Sequence, residues 1–271
     1  ELLPNKISCL EGLHISECPS LKTMMKLEDC NTSLIHMWIK NSWVNLNLTN
    51  LLGSGHNYQS LTRLYIWSCD GLELFPHGGL PTPNLRYLLI QGCKHLKSLP
   101  DRMDLLSSLS YLSLSDCASL MELFPQENIP PNLSRLDITS CGKLKPLGEW
   151  GLHKLTSLEC FCFGDCPELV SFTNNADEEH CVLPPSLTEL VLIDLPNLET
   201  ISKGFQNLTS LQVLLISICP KLEALPMEDY LKKLLSLEIS DCPLLNEWCL
   251  RNKGVIADIP VVQIDGRSIY D

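Results

Sequence analysis

The feature that most constrains this chain is a phrase that returns. From Leu85 it reads L-x-x-L-x-I-x-x-C-x-x-L-x-x-L-P, with anchors Leu85, Leu88, Ile90, Cys93, Leu96, Leu99 and Pro100. The same anchors come back as Leu109, Leu112, Leu114, Cys117, Leu120 and Leu123, and as Leu133, Leu136, Ile138, Cys141, Leu144 and Leu147. Before them stand Leu61, Leu64, Ile66, Cys69 and Leu72, so these copies start at 61, 85, 109 and 133, a constant step of 24. Leu88 and Ile90 are two residues apart and point to one face of a strand. One short strand cannot bury that face, whereas coils stacked about 4.8 Å apart share a continuous interior in which each copy touches its neighbours.

The phrase runs through the chain. A copy opens at Leu10, Leu13, Ile15 and Cys18, and the next, Leu34, Met37 and Ile39, has Ser42 in the cysteine place. Later copies are Leu158, Phe161, Phe163 and Cys166; Leu187, Leu190 and Leu192, with Leu195 in the cysteine place; Leu211, Leu214, Ile216 and Cys219; and Leu234, Leu237, Ile239 and Cys242. The last strand is Ile259, Val262 and Ile264, closed by Asp265-Gly266, which gives 11 strands in all. A period in the twenties with these anchors predicts an α/β-type leucine-rich repeat solenoid, a curved horseshoe with a parallel β-sheet on its concave face. Phe75-Pro76, Leu99-Pro100, Phe124-Pro125 and Leu225-Pro226 mark the return segments. Proline there predicts extended and 3-10 convex segments, with short helical turns at 227–235 and 244–252. Residues 1–271 read as a single leucine-rich repeat domain, with 256–271 as its C-terminal capping segment. A chain that opens at Glu1 in mid-pattern reads as a C-terminal fragment of a larger protein.

Charge and cysteine usage narrow the function. A net charge of −12 speaks against nucleic acid and anionic membrane surfaces as partners, and no apolar run reaches the length of a membrane span. Of 14 cysteines, Cys18, Cys69, Cys93, Cys117, Cys141, Cys166, Cys219 and Cys242 hold one place in the repeat, where the side chain turns inward. They read as small buried hydrophobes kept reduced, which implies a reducing cytosol. Cys160 and Cys162 stand outside the ladder and are expected to point outward together, without the further ligands a metal needs. Gly53-Ser54-Gly55 lacks the Lys-Ser/Thr that would make a phosphate loop and reads as a turn. TNNADEEHC at 173–181 reads as an acidic loop. The sequons at Asn132 and Asn207 fall within repeat linkers, and no catalytic signature is present, so no enzyme is expected.

The repeat variant, with linkers at Gly79–Leu85, Ile129–Leu133 and Asn207–Leu211 and the ending IADIPVVQIDG at 256–266, resembles plant intracellular NLR disease-resistance proteins of the coiled-coil class. The resemblance covers essentially the whole chain. It implies a recognition and autoinhibition module whose protein ligand is a pathogen effector or an effector-modified host protein. It also implies an intramolecular partner, the nucleotide-binding domain of the full-length receptor. No cofactor is expected within this chain, because ADP or ATP would belong to that absent domain. Two alternatives stand beside it: an extracellular leucine-rich repeat ectodomain, and the substrate-binding arm of a ubiquitin ligase.

Between the buried anchors each strand shows its other face. There the first half of the chain places His36, Trp38, Arg63, Tyr65, Trp67, Tyr87, Leu89 and Tyr111, followed by Arg135 and Asp137. Aromatic side chains on adjacent strands make a patch of the kind that anchors protein interfaces, so these are the candidate protein-binding residues.

Overall fold

The computed structural model describes residues 10–17, 33–41, 51–52, 58–124, 127–144, 147–171, 183–201, 205, 208–226, 231 and 233–270. Ladder residue Cys18, the Gly53–Gly55 turn, most of the 173–181 loop's surroundings with the loop itself, Asn207 and residues 227–230 lie outside them.

Ten five-residue strands follow the leucine period: β1 (Gly12–Ser16), β2 (His36–Lys40), β3 (Arg63–Trp67), β4 (Tyr87–Gln91), β5 (Tyr111–Ser115), β6 (Arg135–Thr139), β7 (Cys160–Gly164), β8 (Glu189–Ile193), β9 (Val213–Ser217) and β10 (Ser236–Ser240). β11 (Val261–Ile264) and β12 (Arg267–Ser268) complete the order, which follows the chain throughout. This is a leucine-rich repeat solenoid. The chain groups into two compact units, Glu1–Leu133 with Lys143–Lys145, and Ser134–Gly142 with Pro146–Asp271. In the first, β1 to β5 pair in parallel, anchor on anchor: Leu64 faces Leu88, Leu88 faces Leu112, and Ile66 faces Ile90. In the second, β6 to β11 do the same, with Leu190 facing Leu214 and Leu214 facing Leu237.

Strict alternation of the anchors makes the core. Leu64, Leu88, Leu112, Leu136, Leu190, Leu214 and Leu237 are all 0% exposed. The ladder cysteines Cys69, Cys93, Cys117, Cys141, Cys166, Cys219 and Cys242 are buried free thiols, as their place in the repeat predicts. Each also has a polar task. Its Sγ donates to the carbonyl two residues earlier, from 3.2 Å at Cys242 to 3.7 Å at Cys93, a weak second bond to a strand-end carbonyl. A weak donor suits that place better than a leucine of pure hydrocarbon.

The residue just before each cysteine place turns left-handed. Glu17, Asn41, Ser68, Gly92, Asp116, Ser140, Asp165, Asp194, Ile218 and Asp241 have φ between 46° and 66°, and Gly266, at 75°, holds the same place in the last copy. Asp, Asn, Ser and Gly dominate because they tolerate this region. Their N–H groups reach the end of the next strand, as Ser68 to the Gln91 carbonyl at 2.7 Å and Ile218 to the Ser240 carbonyl at 3.0 Å. Linker asparagines add a second tie: Asn84 Nδ2 donates to the Gln59 carbonyl at 2.8 Å, and Asn132 Nδ2 to the Ser107 carbonyl at 2.7 Å. That role accounts for the sequon at Asn132 without a glycan.

The return segments are extended with short 3-10 turns at Met103–Leu105, Leu147–Trp150 and Leu152–Lys154, as the prolines predict. Two features differ from expectation. The end of the chain is helical, with α1 (Pro243–Arg251) and α2 (Lys253–Ile256) before β11, so the predicted turn at 244–252 is a full nine-residue helix. A twelfth strand also follows the predicted 11: Asp265 and Gly266, with φ of 48° and 75°, reverse the chain so that β12 pairs antiparallel with β11. An Asp-Gly pair with both residues left-handed is the favoured two-residue hairpin turn.

Candidate functional site

Each strand turns three side chains away from the core, and the parallel register lines them up in rows. In the first unit one row holds His36, Arg63, Tyr87 and Tyr111. The middle row holds His14, Trp38, Tyr65, Leu89 and Ser113, and the last Ser16, Lys40, Trp67, Gln91 and Ser115.

Seven of the candidate residues make ring contacts here. The Trp38 and Tyr65 rings stack nearly parallel, 6° apart in plane and 5.5 Å between centroids. Trp67 meets the Tyr65 ring edge-on at 6.1 Å, and His36 tilts against Trp38 at 5.5 Å. Tyr87 and Tyr111 form a perpendicular pair at 6.1 Å, and the Arg63 guanidinium lies 5.2 Å from the centre of the Tyr87 ring. Leu89 is the register neighbour of Tyr65. His14, which the sequence reading did not name, meets Trp38 edge-on at 6.3 Å; its signal was its place, one repeat before Trp38. The Trp38 ring also lies over Gly12, where a Cβ would sit 3.6 Å from Cζ3.

The aromatics are half-buried, not free-standing. Rings one strand apart are closer than their own widths, so each covers part of its neighbour. His36 Nδ1 is buried under this packing without a hydrogen-bond partner among the described residues.

Arg135 and Asp137 belong to the second unit, where they bind each other: Arg135 Nε reaches both carboxylate oxygens, at 3.1 and 3.2 Å. In register next to them come Cys160 and Cys162, then Glu189 and Val191, then Val213 and Leu215. The expectation that both thiols point openly outward fails for Cys160, which is 8% exposed. It stands in the outer row, but its register neighbours Arg135 and Glu189 are long enough to cover it. Burial pushes the Cys160 thiol up to about 12 and the half-buried Cys162 thiol up to about 11. Both are therefore protonated and unreactive at neutral pH. Among the described residues no group of three His, Cys, Asp or Glu side chains is placed to hold a metal ion, and no helix is long and apolar enough to cross a membrane.

No family model matches the chain. The chain is 37% identical over 197 residues to a protein of Arabidopsis thaliana described as a candidate disease resistance protein; the match covers 71% of this chain and 13% of that protein. It is 36% identical over 94 residues to the Arabidopsis protein Variation in Compound Triggered Root growth response, covering 32% of this chain and 8% of that one. The chain thus spans a small part of the relatives it matches, and it is related in sequence to a plant disease-resistance protein.

Proposed function

We propose that this chain is the protein-recognition and autoinhibitory region of an intracellular plant immune receptor. Its ligand is a pathogen effector or a host protein that an effector has modified, and in the resting receptor the region packs against the nucleotide-binding domain. The observation that carries this reading is the aromatic surface of β1 to β5, where rings from four adjacent strands stand on a sheet face away from the core, Trp38 stacked on Tyr65 and the Tyr65–Trp67 and Tyr87–Tyr111 pairs edge-on. Aromatic side chains dominate the energetics of protein interfaces. The relationship to a plant disease-resistance protein supplies the biological setting. The region does no chemistry of its own and needs no cofactor; nucleotide binding belongs to another domain of the receptor.

The test is the double substitution Trp67→Ala with Tyr87→Ala in a full-length receptor that carries this region. At a hot spot each truncation costs on the order of 2 kcal/mol of binding. Signalling should change, either losing its response to the ligand or firing without it. Because the rings pack on each other, the melting temperature should fall modestly, by the equivalent of about 1 kcal/mol per lost pair. Unchanged signalling and unchanged partner binding in a folded variant would remove this face from consideration.

A further inference from the structure

The geometry points to an acidic protein segment, carrying apolar or aromatic side chains, as the occupant of the outer face of β1 to β5. This inference rests on the proposed recognition role and adds the chemistry of the partner. The chain holds 32 acidic and 20 basic side chains, so a face chosen at random would be acidic. Yet residues 33–41, 61–69 and 84–100, which carry β2, β3 and β4 with both their flanks, contain neither Asp nor Glu. Their outward positions instead include His36, Lys40 and Arg63. The nearest acids sit around this window: Glu11 and Glu17 flank β1, Asp70 follows β3 beyond its cysteine, and Asp116 follows β5. The second unit, by comparison, keeps Asp137, Glu189 and Glu238 on the corresponding face, and its Arg135 is already neutralised by Asp137.

Arg63 is the specific receptor for a carboxylate. Among the described residues it meets the Tyr87 ring and no acidic side chain. A guanidinium held beside a ring has N–H donors left over, and its fork matches a carboxylate in bidentate fashion. Beside it the Trp38–Tyr65 stack and Trp67 offer apolar surface. The pattern therefore asks for an anionic group and an apolar anchor a strand or two apart. Single-stranded nucleic acid also combines anions with stacking groups, but it requires a run of cations along its backbone. Here Arg63 and Lys40 stand in different rows, on a chain of net charge −12.

A random peptide display library panned on the 271-residue chain at physiological salt tests this. Long-range electrostatics of so acidic a chain would favour basic peptides, so the expected recovery of sequences rich in Asp and Glu beside Trp, Phe or Leu is discriminating. A synthetic peptide of the recovered consensus should bind about tenfold more weakly to Arg63→Glu, with only the slight fall in melting temperature that loss of the Tyr87 contact brings. Its Glu→Lys counterpart should show the opposite preference. A basic, uncharged or absent consensus overturns the inference, as does displacement of the peptide by an oligothymidylate acting as the better ligand. Trp67→Ala separates the two levels. If it abolishes peptide binding while peptide charge and Arg63→Glu make no difference, the aromatic face stands as a recognition surface and the acidic partner falls. If it also makes no difference, the recognition role of the face falls with it.

Discussion

The two units are each built on the same pattern of buried anchors and differ in what they show to a partner. Leu112 in β5 and Leu214 in β9 occupy the same repeat place, each 0% exposed among register-matched leucines. On the opposite face the first unit sets Trp38, Tyr65, Trp67, Tyr87 and Tyr111 among basic side chains. The second sets Cys162, Val191, Leu215 and Glu238 across the matching row. The repeat thus separates two tasks. Inward places are fixed by the need to stack, whereas outward places vary from coil to coil at little cost to folding.

The core half of that comparison breaks first if it is wrong. Leu112→Ala and Leu214→Ala should each cost about 2–5 kcal/mol through lost burial and a residual cavity. Equal costs in denaturant unfolding would confirm that the two cores are equivalent, and an unchanged midpoint for either would show that its strand is out of register. The thiols sharpen the contrast next. Cys162, held at about 11 by burial, should carry about 100-fold less thiolate at pH 8 than a free thiol. Its alkylation rate, followed by mass spectrometry, should keep rising up to that pH, while the fully buried Cys93 and Cys117 stay unmodified until the protein unfolds.

A third test concerns close packing on the second unit's face. A Cβ on Gly164 would collide with the Ile193 carbonyl oxygen, whereas one on Gly142 meets nothing within 4 Å. Gly164→Ala should therefore destabilise by about 1–3 kcal/mol, and Gly142→Ala should leave the thermal midpoint nearly in place. The smallest effect is a gain. Ile218 is a β-branched residue at φ 54° and 45% exposed, in a place that Asp, Asn, Ser or Gly fills in the other described repeats apart from Glu17. Ile218→Asn relieves that backbone and should raise stability by about 1 kcal/mol; a lower melting temperature would show that the exposed side chain makes a stabilising contact.

Much of this was legible in the residues. The spacing of Leu88, Ile90 and Cys93 gave strand, face and neighbour, because a parallel register with a period of two admits one placement of the anchors. The aromatic rows followed from the same count. The missed pieces lie where the period stops. β12 is two residues long, too short for any alternation to show, and only its Asp-Gly turn announced it. For the final helix α1 the pattern predicts no more than a helical turn, because nine residues hold little more than two turns of it.

By itself the sequence determined the solenoid, since a 24-residue period leaves each copy unable to bury its own leucines and obliges it to stack. It also determined which residues share the outer face. Only the tertiary structure decided how those residues meet: that Trp38 lies flat on Tyr65, that Arg63 settles over Tyr87 while Arg135 turns to Asp137, and that Cys160 is covered while Cys162 is half open. The reason is physical. Backbone register is set by hydrogen bonds that every residue makes alike, whereas the posture of a side chain depends on the size and charge of neighbours about 4.8 Å away on another coil, some 24 residues distant in the chain.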